Sequence, residues 1–101
     1  RTITVVVGHE AARVQAHLAH WPGVTTVLQE PQLGTGHALL MAEPALSGQS
    51  GTVVLLSGDV PLLSPASLAA LIERHQDTGA AATVVTAMVE RPFGYGRILR
   101  S

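Results

Sequence analysis

The sequence predicts a doubly wound α/β fold whose sheet is mostly parallel. Runs rich in β-branched residues alternate with stretches that have helical spacing. The strand-like runs contain no polar residue other than threonine, which is typical of strands covered on both faces. Glycine-containing loops follow several of these runs. In open parallel sheets, ligands bind outside the carboxyl ends of the strands, so these loops are candidate binding sites.

The first half of the chain predicts two strand–helix pairs. Residues 2–7 form a β-branched run and predict the first strand. Residues 11–19 carry apolar side chains on one helical face and are followed by the breakers Trp21-Pro22-Gly23. Residues 24–28 predict the second strand, and the next helix is expected to end near Leu46.

The second half predicts a strand, a helix and a further strand. Residues 52–56 are apolar on both faces, which favours a central strand. Ser64 is a good N-cap with Pro65 at the first helical position, and Gly79 is placed to end that helix. Residues 82–89 predict a fourth strand.

Composition limits the classes of function. The chain has 101 residues, enough for at most one small domain, and its 47% hydrophobic content excludes a disordered protein. Charged residues make up 13%, the net charge is −1 and there is no basic stripe, so nucleic acid is not expected as a partner. No apolar run reaches the length of a membrane span. The absence of cysteine excludes disulfides and fits the cytoplasm.

The two ends suggest an internal piece of a longer protein. The sequence opens on Arg1 rather than methionine, with a strand almost at once, and residues 98–101 resemble a strand. We therefore expect a fold that is incomplete at both ends.

The loop after the second strand is the most informative motif. In Leu33-Gly34-Thr35-Gly36-His37-Ala38, two glycines flank a threonine at a turn from strand to helix. Glycine permits φ > 0 and lets a ligand approach the backbone. Thr35 is predicted to cap the helix, whose free N–H groups attract polar or anionic groups, and His37 to support the loop by hydrogen bonding. A purely structural tight turn remains equally open.

Gln29 and Asp59 are the side chains best suited to bind a ligand. The Gln29 amide carries the donor and acceptor needed to read a pyrimidine edge, the alternative being a solvated loop residue. Asp59 follows Gly58 after the most hydrophobic strand and can hold Mg²⁺ beside a phosphorylated ligand. The alternative is a turn aspartate, but an unpaired carboxylate behind a buried strand is costly, which favours the metal. A second metal ligand is expected outside this chain.

A third loop follows the predicted fourth strand. Gly94 and Gly96 flank Tyr95, which predicts either a bend with a packed aromatic ring or a backbone wall against a sugar. Arg97 is expected to pair with a carboxylate of the fold, or else with a phosphate. Residues 29–37, 57–61 and 93–97 are predicted to converge at one edge of the sheet.

These motifs together resemble the uridylyltransferase domain of the GlmU family of bifunctional bacterial enzymes. The resemblance covers nearly the whole chain, with all three blocks in order and at matching spacing. It rests on Gln29 and on the blocks Gln32-Leu33-Gly34-Thr35-Gly36-His37-Ala38, Gly58-Asp59-Val60-Pro61-Leu62 and Phe93-Gly94-Tyr95-Gly96-Arg97-Ile98.

The resemblance implies a single nucleotidyltransferase domain of the nucleotide-diphospho-sugar transferase type, of which residues 1–101 are an internal part. It implies coupling of UTP with N-acetylglucosamine 1-phosphate, with Mg²⁺, to give pyrophosphate and UDP-N-acetylglucosamine, a peptidoglycan precursor. In the family a glycine-rich triphosphate loop precedes the region covered here. A further C-terminal domain, also outside this chain, makes the whole protein a homotrimer.

The resemblance also implies roles for individual residues. Gln29 and Gly34 match uracil-contacting positions, and Thr35 lies beside them. Asp59 matches the magnesium aspartate and is the implied catalytic residue. Substrate contacts are carried over to the following further positions: Ser57, which stands where some members have tyrosine, Gly58, and Gly96, which matches a backbone contact to the amino sugar.

Other functions stay open at the level of the sequence. A related nucleotidyltransferase with a cytidine or guanosine substrate would have similar loops. A non-catalytic α/β fragment is the alternative from another class. A dehydrogenase is disfavoured because no Gly-x-Gly-x-x-Gly follows a strand.

Overall fold

A computed structural model describes residues 2–101. The chain divides into two compact units, with the boundary between Ser50 and Gly51. The elements are β1 (Ile3–Val7), α1 (Ala11–Leu18), β2 (Val24–Leu28), α2 (Thr35–Leu46) and α3 (Pro65–Thr78).

The first unit is built on a parallel strand–helix–strand motif. β1 pairs with β2 in parallel, in a register that sets Ile3 against Val24 and Val7 against Leu28. The β-branched residues of both strands favour this extended conformation. α1 makes the crossover that parallel neighbours need. The predicted parallel α/β class is therefore confirmed for this unit, with both strands within one residue of their predicted bounds.

The core of the first unit lies between the strands and their helices. α2 packs on β1 and β2, and so does α1. The buried apolar side chains among residues 2–101 are Val7 on β1 and Ala42 on α2. Gln15 on α1 donates to Thr26 Oγ1 on β2 at 3.2 Å, which fixes the helix on the sheet by a polar contact.

The second unit contains α3, whose ends agree with the sequence signals. Ser64 is the N-cap, and its Oγ accepts a hydrogen bond from the Ser67 amide at 3.1 Å. Pro65 occupies the first helical position, where its missing N–H costs nothing. Gly79 follows the helix at φ 61°, a left-handed conformation that glycine adopts without strain.

The prediction of two strands in the second unit is wrong. Residues 52–56 and 82–89 have irregular backbone, and the side chains of Val53, Leu55 and Val84 are 62%, 67% and 71% exposed. The physical reason is that a strand is stable only when its N–H and C=O groups pair with a neighbour. Neither segment forms a ladder in the part of the chain described.

We expect the 101-residue chain to be marginally stable and to self-associate, because unpaired apolar segments recruit other chains. Light scattering and sedimentation, combined with thermal melts at several concentrations, measure this. Leu55→Lys should reduce association, since a charge blocks strand pairing. Gln49→Lys, the same charge in an exposed turn, should not. A cooperative melt of a monomer, unchanged with concentration, would contradict the expectation.

Candidate functional site

The loop between β2 and α2 begins beside the end of β1. The Gln29 amide donates to the Val7 carbonyl at 2.7 Å, which extends the parallel ladder by one hydrogen bond. The Gln32 side chain lies against Gly8, where an added Cβ would come within 2.6 Å of its Nε2 atom. Gly8 therefore has to be glycine for Gln32 to lie there. An open concavity at this end of the strands is lined by Gly8, Ala11, Gln29 and Gln32, among others.

The Gln29 side chain is held by two contacts within the loop. Its Nε2 donates to the Gly34 carbonyl at 3.0 Å and lies 2.9 Å from Nδ1 of His37. Gln29 and His37 are both half-buried. The prediction that His37 supports the loop by hydrogen bonding is confirmed, and its partner is the residue predicted to read a base.

Gly34 adopts a conformation that is essentially limited to glycine. Its φ is 109° and its ψ is 179°, a positive φ that glycine permits. No atom would lie within 4 Å of a Cβ at this position. The Gly34 carbonyl accepts from the Ala38 amide at 3.1 Å, so Gly34 itself is the N-cap of α2.

The predicted cap by Thr35 is wrong. Thr35 is the first helical residue, and no side chain caps α2 in the described structure. A capping side chain must come from the residue before the helix, and glycine fills that place here. The amides of Thr35, Gly36 and His37 thus have no acceptor in the helix, and Thr35 and Gly36 are exposed.

In the second unit, Ser57, Gly58 and Asp59 lie in one exposed turn. The Val60 amide donates to the Ser57 carbonyl at 3.3 Å. Within residues 2–101 the Asp59 carboxylate has no cationic partner and accepts no hydrogen bond. The expected penalty for charge burial is absent because the preceding segment is not a buried strand. The alternative role of Asp59, a turn residue bonded to nearby amides, would require a hydrogen bond that Asp59 does not make within the described residues.

The turn around Gly96 is closed by an arginine. The Tyr95 amide donates to the Pro92 carbonyl at 3.0 Å, and Gly94 has φ 82°. Arg97 Nη1 donates to the carbonyls of Pro92 and Tyr95 at 2.7 and 2.6 Å. The expected pairing of Arg97 with a carboxylate is therefore wrong. Tyr95 is 68% exposed, so the bend holds no packed aromatic ring, and Gly96 is also exposed.

The described residues form no complete metal centre. Across residues 2–101 no three His, Asp or Glu side chains lie close enough together to hold a metal ion. Asp59, exposed and unpaired, fits the role of one carboxylate ligand for Mg²⁺. That ion commonly takes its other ligands from waters and phosphates. None of the described helices is long and apolar enough to cross a membrane.

The structure brings part of the predicted site together. Gln29 and Gly34 are in direct contact, with Thr35 next in the chain, and all three belong to the first unit. Ser57, Gly58, Asp59 and Gly96 belong to the second unit, so the convergence of the three loops stays a prediction. Sequence reasoning assigned no role to Gln32. Its contact could have been inferred from Gly8, because a glycine directly after β1 leaves room for a side chain to lie against the backbone.

A parallel strand–helix–strand unit with a glycine loop before the next helix is typical of nucleotide-binding α/β domains. The whole sequence, residues 1–101, matches the family described as the MobA-like NTP transferase domain, and the chain belongs to this family.

Curated relatives of the chain carry the name bifunctional protein GlmU. The chain is 51% identical to the protein of Geobacter metallireducens over 98 residues. The aligned region is 97% of this chain and 21% of that protein. It is 59% identical to the protein of Syntrophotalea carbinolica over 96 residues. That aligned region is 95% of this chain and 20% of that protein. The resemblance inferred from the motifs is thus confirmed. The chain spans about a fifth of the length of these relatives.

We predict that Gly34→Val blocks nucleotide binding by the complete protein that contains this chain. Valine cannot adopt this φ and ψ without strain of about 1–3 kcal/mol, and its side chain would occupy the open approach to the backbone. Calorimetric titration with UTP and UDP-N-acetylglucosamine measures the effect. Gly48→Val is the matched control, because Gly48 also has positive φ and open space but lies after α2. Unchanged affinity in Gly34→Val would refute the placement of Gly34 against the ligand.

Proposed function

We propose that this chain is part of a nucleotidyltransferase that couples UTP with N-acetylglucosamine 1-phosphate, releasing pyrophosphate and forming UDP-N-acetylglucosamine. The β2–α2 loop is the observation that carries the proposal. In a chain of the NTP transferase family, it combines a fixed Gln29 amide, an open Gly34 backbone and free amides at the start of α2.

The loop has the chemistry needed to bind uracil. The Gln29 Oε1 atom is an acceptor for the uracil N3–H, and backbone amides of the loop are donors for a uracil carbonyl oxygen. The open space beside Gly34 lets the base approach the backbone closely. These features support the assignment of Gln29 and Gly34 to the base, with Thr35 beside them.

The remaining substrate contacts are assigned to the second unit. Asp59 would be one ligand of Mg²⁺, which when bound neutralises phosphate charge during attack of the sugar phosphate on the α-phosphorus of UTP. Ser57 and Gly58 lie in the same turn and are proposed to line the substrate. Gly96 is proposed to contact the amino sugar through its exposed backbone. Such transfers depend on positioning rather than on a protein nucleophile.

The proposal extends to the protein as a whole. We propose that residues 1–101 are an internal part of one domain with a larger doubly wound sheet, in which residues 52–56 and 82–89 find strand partners. The complete protein would be a cytoplasmic homotrimer joined through a further C-terminal domain. The fivefold greater length of the curated relatives is consistent with additional segments.

We predict that the complete protein releases pyrophosphate from UTP and N-acetylglucosamine 1-phosphate, while the 101-residue chain does not. The chain alone would lack the triphosphate loop and the second metal ligand that the resemblance implies. Release by the chain well above a no-protein control would contradict the second part. Competition by CTP or GTP as strong as by UTP would favour another nucleotidyltransferase.

We predict that Asp59→Ala in the complete protein lowers turnover by at least about 100-fold, the order expected when a ligand that holds a catalytic metal is lost. Turnover at limiting Mg²⁺ and the thermal midpoint are the two measurements. The midpoint should change little, because Asp59 is exposed and makes no polar contact in the described structure. Asp77→Ala on α3 removes a similar exposed carboxylate and should leave turnover normal. Near-normal turnover of Asp59→Ala would contradict the proposed role of Asp59 as a metal ligand.

A further inference from the structure

The orientation of the Gln29 amide is fixed by its neighbours. A backbone carbonyl can only accept a hydrogen bond, so the Gln29 atom 3.0 Å from the Gly34 oxygen must be the nitrogen. The same nitrogen lies 2.9 Å from His37 Nδ1. Both distances are typical of good hydrogen bonds.

The tautomer of His37 follows from this arrangement. The two hydrogens of the Gln29 amide nitrogen are directed to the Gly34 carbonyl and to His37 Nδ1. Nδ1 must therefore be the acceptor nitrogen, and the ring hydrogen is on Nε2. The donors of Gln29 are used within the loop, whereas its Oε1 accepts no hydrogen bond within residues 2–101. Gln29 thus offers a ligand an acceptor only.

We propose that His37 is a positioning residue that sets the selectivity of the site for uracil over cytosine. It does so by holding the Gln29 amide with its oxygen available as an acceptor. The inference rests on the proposed function, in which Gln29 reads the base. Uracil presents a donor at N3, which an amide oxygen accepts, whereas cytosine presents an acceptor at N3 and is rejected by that oxygen. Without the Nδ1 acceptor, one amide hydrogen loses its partner, and the amide can rotate to present N–H to cytosine.

Two substitutions of similar shape separate this role from packing. His37→Asn places an oxygen where Nδ1 stands, because both atoms are bonded to Cγ, and so retains an acceptor for Gln29. His37→Leu places a methyl group there and removes the acceptor. The dissociation constants of UTP and CTP are measured by calorimetry for the complete protein and both variants.

His37→Leu should lower the preference for UTP over CTP by about tenfold, the effect of one hydrogen bond on the orientation of the amide. His37→Asn should retain the preference of the wild type. An unchanged preference in His37→Leu, or an equal loss in both variants, overturns the inference.

A spectroscopic measurement tests the same inference without nucleotide and without a variant that must fold. In the complete protein labelled with ¹⁵N-histidine, the His37 signals should show a hydrogen on Nε2 and an unprotonated Nδ1. A hydrogen on Nδ1 overturns the inference and leaves the proposed function standing. A wild-type protein that binds UTP and CTP equally, with Nδ1 unprotonated, overturns the uridine assignment and the selectivity role together.

Discussion

The parallel pairing of β1 with β2 is the constraint on which the first unit depends. Because Val7 is set against Leu28, both strands end at the same level, and Gly8 and Gln29 follow them side by side. The bond from the Gln29 amide to Val7 continues the ladder into the loop. A slip of one residue would turn every side chain of β2 to the other face. Such a slip would also break the hydrogen bond from the Gln29 amide to the Val7 carbonyl.

Gly34 joins the loop to the helix through a single carbonyl group. This oxygen accepts the first helical hydrogen bond from Ala38 and the side-chain bond from Gln29. Its direction is set by a backbone conformation that residues with a Cβ avoid. The start of α2 and the orientation of the Gln29 amide are therefore coupled. A substitution at Gly34 that altered the start of α2 would also alter the orientation of the Gln29 amide.

Features set by neighbouring residues could be predicted from the sequence. Ser64, Pro65 and Gly79 fix the ends of α3 through adjacent signals, and the structure agrees with them. The predicted cap at Thr35 was one residue late, because the backbone demand on Gly34 outweighs the capping preference of threonine. That His37 supports the loop could be predicted. Its partner Gln29, eight residues earlier, could not, because only the folded loop brings them together.

Residues 52–56 and Arg97 show where prediction from the sequence failed. Residues 52–56 have strong β-propensity, yet propensity describes how side chains fit a sheet that already exists. Without a neighbouring strand the backbone takes irregular structure, and the apolar side chains are exposed. Arg97 was expected to find a distant partner but has local ones. It donates to two carbonyls of its own turn rather than to a carboxylate elsewhere. Guanidinium donors take whichever acceptor is near, and sequence spacing does not identify it.

The residues proposed to bind the base and the proposed metal ligand differ in what orders them. The residues proposed to bind the base are fixed by contacts that span only a few residues, from Gln29 to His37. The turn that carries Asp59 is closed by one local hydrogen bond, but its position follows from residues 52–56. The Asp59 carboxylate is exposed and has no desolvation cost. Its proposed role as a metal ligand therefore depends on where that segment places it. Strand pairing by residues 52–56 would therefore position the proposed metal ligand, whereas the contacts of Gln29 with Gly34 and His37 form without it.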